Sequence, residues 1–112
     1  MKKLVLFAIL CTSLLTDCEK INIDASDCIE DKVRKFTKTA PCENGASVAL
    51  WIIKGENVYV FSDGNCGADM GAAVYTEDCE YIGFLGGFTG NMIIGGVNFY
   101  EEAQFIKKIW EN

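Results

Sequence analysis

The sequence predicts an α+β fold in which an N-terminal helix packs on a small antiparallel sheet of about four strands. A C-terminal helix, or a short helix plus a closing strand, completes the domain. Three observations predict this fold: one stretch with helical apolar spacing, two hairpin-like pairs of apolar runs, and four cysteines distributed among them. The chain has 112 residues, which is enough for one domain.

The first residues have the pattern of a secretory signal peptide. Lys2 and Lys3 precede an apolar run over residues 4–15. This run is too short to cross a bilayer as a helix, since spanning takes about 20 apolar residues. We therefore expect residues 1–17 to be a signal peptide that directs export.

Cys18 follows the apolar run in a segment, LLTDCEK, that resembles the lipobox of bacterial lipoproteins. We expect lipid attachment at Cys18, a tether over residues 18–25, and one globular domain over residues 26–112. The membrane would then be a partner through this lipid anchor. The alternative is cleavage near Asp17, which would release an unanchored exported protein.

The mature chain is expected to be acidic. Cleavage before Cys18 leaves eight basic and fifteen acidic residues, a net charge of −7. Without a basic stripe, the chain is not expected to bind nucleic acid or to attach electrostatically to anionic lipid.

The first predicted element is a helix within residues 26–41. Ile29, Val33 and Phe36 recur at helical spacing, so one face is apolar, and Pro41 ends the pattern. The basic residues towards the end of this helix are interpreted as a solvated face placed favourably for the helix dipole.

Two hairpins are predicted next. Residues 46–63 contain two apolar, β-branched runs separated by the turn residues 54–57, and residues 73–85 repeat this arrangement. Glycines dominate residues 83–96, which predicts irregular backbone with positive φ. Residues 98–112 fit either a helix or a short helix followed by a strand, because short apolar runs are ambiguous by periodicity.

The four cysteines of the domain, Cys28, Cys42, Cys66 and Cys79, predict two disulfides because the chain is small and exported. A disulfide requires Cα atoms within about 7 Å of each other. The helix between Cys28 and Cys42 rises about 18 Å, and the strand between Cys66 and Cys79 spans about 20 Å. Following the ends of the predicted elements instead predicts the pairs Cys42–Cys66 and Cys28–Cys79.

No arrangement typical of catalysis is found. The chain has no histidine, which excludes Ser-His and Cys-His nucleophiles. Asp63, Asn65 and Asp69 begin like a calcium loop, but Val74 stands where such a loop needs a bidentate glutamate. We expect no catalytic residue, no metal, no cofactor and no enzymatic activity, with a carboxylate-dependent hydrolase as the less favoured alternative.

The glycine-rich segment also carries large apolar side chains, at Phe88, Met92, Ile93 and Ile94. These side chains either form an exposed tip that contacts a partner or fold back into the core. The pattern favours the core, and Phe88, Met92 and Ile93 stay candidates for partner contact.

Five segments together resemble a family of short bacterial lipoproteins of unknown function: CIEDKVRKF, NVYVFSDGNCGADMGAAVY, CEYIGFLGGFTG, VNFY and the terminal IWEN. The resemblance covers most of residues 27–112 and implies a single small domain in the bacterial cell envelope, facing the periplasm or the cell surface. It implies no activity. We therefore expect a lipid-anchored binding or interaction module with an envelope protein as its partner. A secreted, unanchored inhibitor that binds a protein is the alternative.

Overall fold

The structure is a computed structural model that describes residues 25–68 and 70–112. The predicted signal peptide, Cys18, most of the predicted tether and Asp69 lie outside the described residues. The elements, in chain order, are α1 (Asp27–Thr39), β1 (Ser47–Ile53), β2 (Glu56–Ser62), β3 (Gly71–Thr76), β4 (Tyr81–Gly86), β5 (Ile93–Ile94), β6 (Val97–Asn98), α2 (Phe99–Glu102) and β7 (Gln104–Glu111).

Helix α1 forms where the spacing predicts it. The Ser26 side chain caps its N-terminus by accepting a hydrogen bond from the Ile29 backbone N–H, at 3.2 Å. The Ser26 hydroxyl also donates to the carbonyl oxygen of Glu77, at 2.7 Å, which ties the helix start to the β3–β4 turn. Ile29 and Val33 on the inner face are fully buried.

The main sheet is antiparallel, with the strand order β4-β3-β2-β1-β7. Because side chains alternate along a strand, each strand contributes to two faces. Helix α1 covers one face, against Val48, Leu50, Tyr59 and Phe61. The hairpin β5–β6 and helix α2 cover the opposite face, where Ile94 and Phe99 pack against a second set of apolar side chains: Ile53, Val58, Val60, Ala72, Val74 and Leu85.

The predicted sheet of about four strands is wrong, because the main sheet has five strands and the glycine-rich segment forms a second sheet of two. The fifth strand is β7, which pairs with β1 and places Trp110 opposite Val48. The tail is therefore no C-terminal helix but the short helix α2 followed by a closing strand. A helix packed on a sheet remains a correct coarse description.

The physical reason for this difference is the environment of the tail rather than its local pattern. Residues 104–111 carry apolar side chains at spacings that suit a helix and a strand equally well. The exposed edge of β1 supplies backbone hydrogen-bond partners, and Trp110 stands edge-on to Phe36 with ring centroids 5.9 Å apart. Pairing with a distant strand therefore decides the conformation, which no local periodicity could show.

Two disulfides lie at opposite ends of the sheet. Cys28 at the start of α1 is joined to Cys79 in the β3–β4 turn, with 6.1 Å between the Cα atoms. Cys42 after α1 is joined to Cys66 after β2, with a Cα separation of 5.7 Å. These are the two pairs that the sequence predicts. No helix among residues 25–68 and 70–112 is long and apolar enough to cross a membrane.

Candidate functional site

The two ends of the sheet differ in chemistry. We call them the Cys79 end and the Cys66 end, after the disulfide at each. The chain enters the domain at the Cys79 end, where Ser26 is bonded to the β3–β4 turn. This end is also rich in carboxylates, which stand at the start of β2, between β3 and β4, and in helix α2: Glu56, Glu77, Asp78, Glu80, Glu101 and Glu102.

The first candidate site begins in the β4–β5 turn at the Cys66 end and continues into β5; we call it the apolar tip and define it as Phe88, Met92 and Ile93. Phe88 is 87% exposed, and Met92 and Ile93 are 47% and 51% exposed. Ile94, in contrast, is only 2% exposed and belongs to the core. The preference for the core is therefore wrong for the three tip residues and correct for Ile94.

Alternation along β5 explains this division. Successive side chains of a strand point to opposite faces, so burying Ile94 turns Ile93 outward. Ile94 packs directly on Gly83 of β4, where an added Cβ would collide with its side chain. The close approach of Ile94, together with a φ of 155° at position 83, favours glycine there, and the burial of Ile94 leaves Ile93 in solvent.

Backbone hydrogen bonds hold the tip in place. The Gly86 N–H donates to the Asn91 carbonyl at 2.8 Å, and the Asn91 N–H donates back to Gly86 at 3.1 Å. Gly87 and Gly90 have positive φ, of 77° and 66°, which lets the chain reverse tightly around Phe88. The phenyl ring therefore projects from a closed turn.

The tip lies in a segment without charge. Between Glu80 and Glu101 the chain has no charged residue, although the whole chain carries a formal net charge of −6. The chain segment that presents the tip therefore contributes no charge of its own to a contact.

A second candidate site is an open groove of about 420 Å³ between α1 and strands β2 and β3. We call it the helix groove. Its floor is aromatic: Phe61 stands edge-on to Phe36 on one side and to Tyr75 on the other, with both centroid distances 5.4 Å. The small side chain of Ala73, which pairs with Phe61 across the strands, leaves room above the floor.

Charged side chains line the groove unevenly. The Lys32 ammonium sits 4.3 Å from the centroid of the Tyr75 ring, a cation–π arrangement near the Cys79 end. The Lys35 ammonium is paired with the Asp31 carboxylate at 3.1 Å, so the middle of the groove is close to neutral.

Asp63 lies at the opposite end of the groove, beside the Cys66 end of the sheet. Partial burial raises the pKa of Asp63 above its usual value, because the charged carboxylate loses water. Among the described residues, neither of the two ion pairs includes Asp63. The groove thus has a cation at one end and a desolvated carboxylate at the other.

Cys66 follows β2, in the stretch of sequence that begins like a calcium loop at Asp63. Cys66 is bonded to Cys42, so its sulfur is no thiol in the folded chain. Within the part of the chain that the structure describes, no three metal-ligating side chains come together. Asp69, a member of the calcium-like pattern, lies outside that part.

A family model described as a domain of unknown function, DUF6970, matches residues 34–112. The chain belongs to the DUF6970 family. This result agrees with the expected resemblance to a family of unknown function. The DUF6970 match includes the whole sheet, the apolar tip and the groove floor, whereas Cys28 and Lys32 precede it. No curated protein and no solved structure matches the chain.

The sequence does not predict the helix groove. The basic residues of α1 are expected to form a solvated face, whereas Lys32 reaches over Tyr75. A signal existed in the cross-strand pattern, since Ala73 sits between larger aromatic neighbours on the same side of the sheet. A small side chain such as Ala73 between aromatic side chains leaves a hollow in the surface of the sheet, and a helix packed on that surface does not fill it.

Proposed function

We propose that this DUF6970 chain is a lipid-anchored binding module of the bacterial cell envelope, and that its apolar tip contacts a protein partner. The observation that carries the proposal is the exposure of Phe88, 87%, on a hydrogen-bonded glycine turn in a segment without charge. Exposed aromatic side chains are frequent anchors of protein interfaces.

The rigidity of the turn supports a role in binding. Placing a large apolar side chain in water is unfavourable, and the hydrogen-bonded turn presents Phe88 to solvent all the same. Because the backbone of the turn is already ordered, binding a partner would not incur the entropic cost of ordering it. The tip is thus suited to insert into an apolar pocket on another protein.

The location of the tip relative to the chain's entry point supports the same role. A tether from Cys18 would reach the domain at the Cys79 end, where Ser26 is hydrogen-bonded. The strands run about 20 Å from there to the Cys66 end. In an anchored chain the carboxylates of the Cys79 end would lie nearer the membrane, and the tip would point away from it towards a partner.

The two disulfides support an exported location, because such bonds persist in oxidising compartments and are rare in the cytosol. The proposal assigns no catalytic residue. The disulfides give the domain a stable framework, and the tip gives it a contact surface.

Site-specific photo-crosslinking in the producing cells tests the proposed contact. A photoreactive phenylalanine analogue at position 88 is compared with the same analogue at position 105, where Phe105 is 50% exposed on β7. We expect a covalent product of one defined mass from position 88 and none from position 105. Equal labelling from both positions, or no product from position 88, would contradict the assignment of the tip.

Membrane fractionation of Cys18→Ala tests the anchor separately. We expect the unmodified chain in the membrane fraction and the variant in the soluble envelope fraction. If both chains partition alike, the anchor is absent, and a secreted inhibitor becomes the better description of a chain that still crosslinks through position 88.

A further inference from the structure

We propose that the helix groove binds a short apolar peptide of two or three residues, with the peptide's carboxylate at Lys32 and its free ammonium group at Asp63. This inference does not depend on the apolar tip, because the groove lies on the opposite face of the sheet.

The shape and lining of the groove suit an apolar body. Its volume of about 420 Å³ is within the range of small-ligand sites. Phe36, Phe61 and Tyr75 present aromatic surfaces to it, and Ala73 leaves the space between them. Apolar side chains of a peptide would replace water on these surfaces.

The charges at the two ends select the direction in which a peptide lies. Lys32 is held over the Tyr75 ring rather than in a salt bridge with a carboxylate of the described chain, so its donors can reach an anion. Asp63 lines the other end of the groove and is partly desolvated, and a carboxylate makes its strongest hydrogen bonds with cationic donors. Between them, Lys35 and Asp31 neutralise one another.

The backbone separation between the two charged ends of the groove limits the length of the ligand. Tyr75, beneath Lys32, pairs with Tyr59 across the sheet. Asp63 follows Tyr59 by four residues, and its N–H donates to Gly71 at 2.9 Å, so the strand geometry continues to it. Four extended residues span about 13 Å. A peptide of two or three residues spans about 7 to 11 Å, which is shorter than this separation.

The helix dipole favours the same orientation. The N-terminal half of α1 carries Lys32, and the positive end of the dipole lies on that side. The ligand's carboxylate would therefore meet the Lys32 ammonium group on the half of the helix that is nearer the positive end of the dipole. A peptide bound in reverse would place like charges together at both ends.

Calorimetric titration of the protein, with its disulfides intact, tests the proposal. The probes are phenylalanyl-leucine, its N-acetylated form and its C-terminal amide, together with phenylalanyl-leucyl-alanine. We expect saturable binding of a peptide with free termini and about tenfold weaker binding of each blocked form, since each block removes one charge-assisted contact.

Two variants assign the ends. The Asp63→Asn variant should bind the free and the N-acetylated peptide equally weakly, because it lacks the partner of the ammonium group. The Lys32→Gln variant should likewise bind the free and the amidated peptide equally weakly. Lys38→Gln, on an exposed part of the same helix, is the matched control and should bind like the unmodified protein. Thermal melting of each variant establishes that it is folded.

Two outcomes would overturn the proposal. Equal affinity for free, acetylated and amidated peptides would mean that the groove binds apolar side chains without recognising the charged termini of the peptide. Failure of both free peptides to bind at millimolar concentration to folded protein would mean that the groove is not a peptide site. Neither outcome bears on crosslinking through position 88, so the two proposals fail separately.

Discussion

On one face of the sheet, α1 is fixed by a disulfide at each end, whereas on the other face β5, β6 and α2 are held within the described residues by packing and hydrogen bonds. The helix buries two side chains completely, Ile29 and Val33, and leaves a groove beside it. The hairpin face closes tightly around Ile94 and Phe99. Covalent bonds thus support the face that keeps an open groove beside its helix.

The largest expected effect comes from removing the bond that fixes the start of α1. Cys28→Ser together with Cys79→Ser opens a loop of 51 residues, which the chain-entropy model values at about 4 kcal/mol of unfolding free energy. Urea unfolding monitored by circular dichroism measures the loss.

The pair Cys42→Ser and Cys66→Ser is the comparison for that experiment. Its separation of 24 residues predicts a loss of about 3.5 kcal/mol, slightly less than for the longer loop. A double variant as stable as the unmodified chain, at either pair, would show that packing alone fixes α1.

A slightly smaller effect is expected from the packed face. Ile94→Ala removes a side chain that is 2% exposed and should cost about 3 kcal/mol, the usual range for such a truncation in a core. Ile93→Ala is the matched control, because Ile93 is 51% exposed, and it should change stability by less than about 0.5 kcal/mol. Similar losses from both variants would contradict the division between core and tip.

The cap of α1 gives a third and smaller effect. Ser26→Ala removes the hydrogen bond to the Ile29 N–H and the bond to the Glu77 carbonyl, and should cost about 1 kcal/mol. Ser26→Asp keeps an acceptor for the cap but loses the donor to Glu77, so an intermediate stability is expected. Equal stability of the three chains in thermal melting would show that the disulfide alone places the helix start.

The smallest effect concerns Asp63 in the groove, and it depends on pH. Burial raises its pKa above 3.8, so the folded state holds a proton more tightly than the unfolded state does. Stability contributed by this group is therefore present at low pH and lost as pH rises through the raised pKa. Asp63→Asn should stabilise the domain slightly at neutral pH, and denaturant midpoints at about pH 3 should show no such gain. If Asp63→Asn stabilised the domain more in acid than at neutral pH, the pKa of Asp63 would be lowered by folding rather than raised, which would contradict this account.

The sequence predicts what is set by local chemistry and by simple geometry. The spacing of Ile29, Val33 and Phe36 and the stop at Pro41 indicate α1, and the lengths of helix and strand restrict the cysteine pairs. Features that depend on distant contacts could not be predicted. The strand β7 forms because the edge of β1 has free backbone groups that β7 can pair with. Ile93 is exposed because the neighbouring Ile94 packs against Gly83, and successive side chains of a strand point in opposite directions.

Peptide mapping of the non-reduced protein tests most directly whether α1 is tied to the sheet at both ends. After proteolysis, mass spectrometry should find Cys28 linked to Cys79 and Cys42 linked to Cys66. A peptide that links Cys28 to Cys42 would contradict the account, since those residues stand at opposite ends of α1 and the groove beside it could not exist in this form.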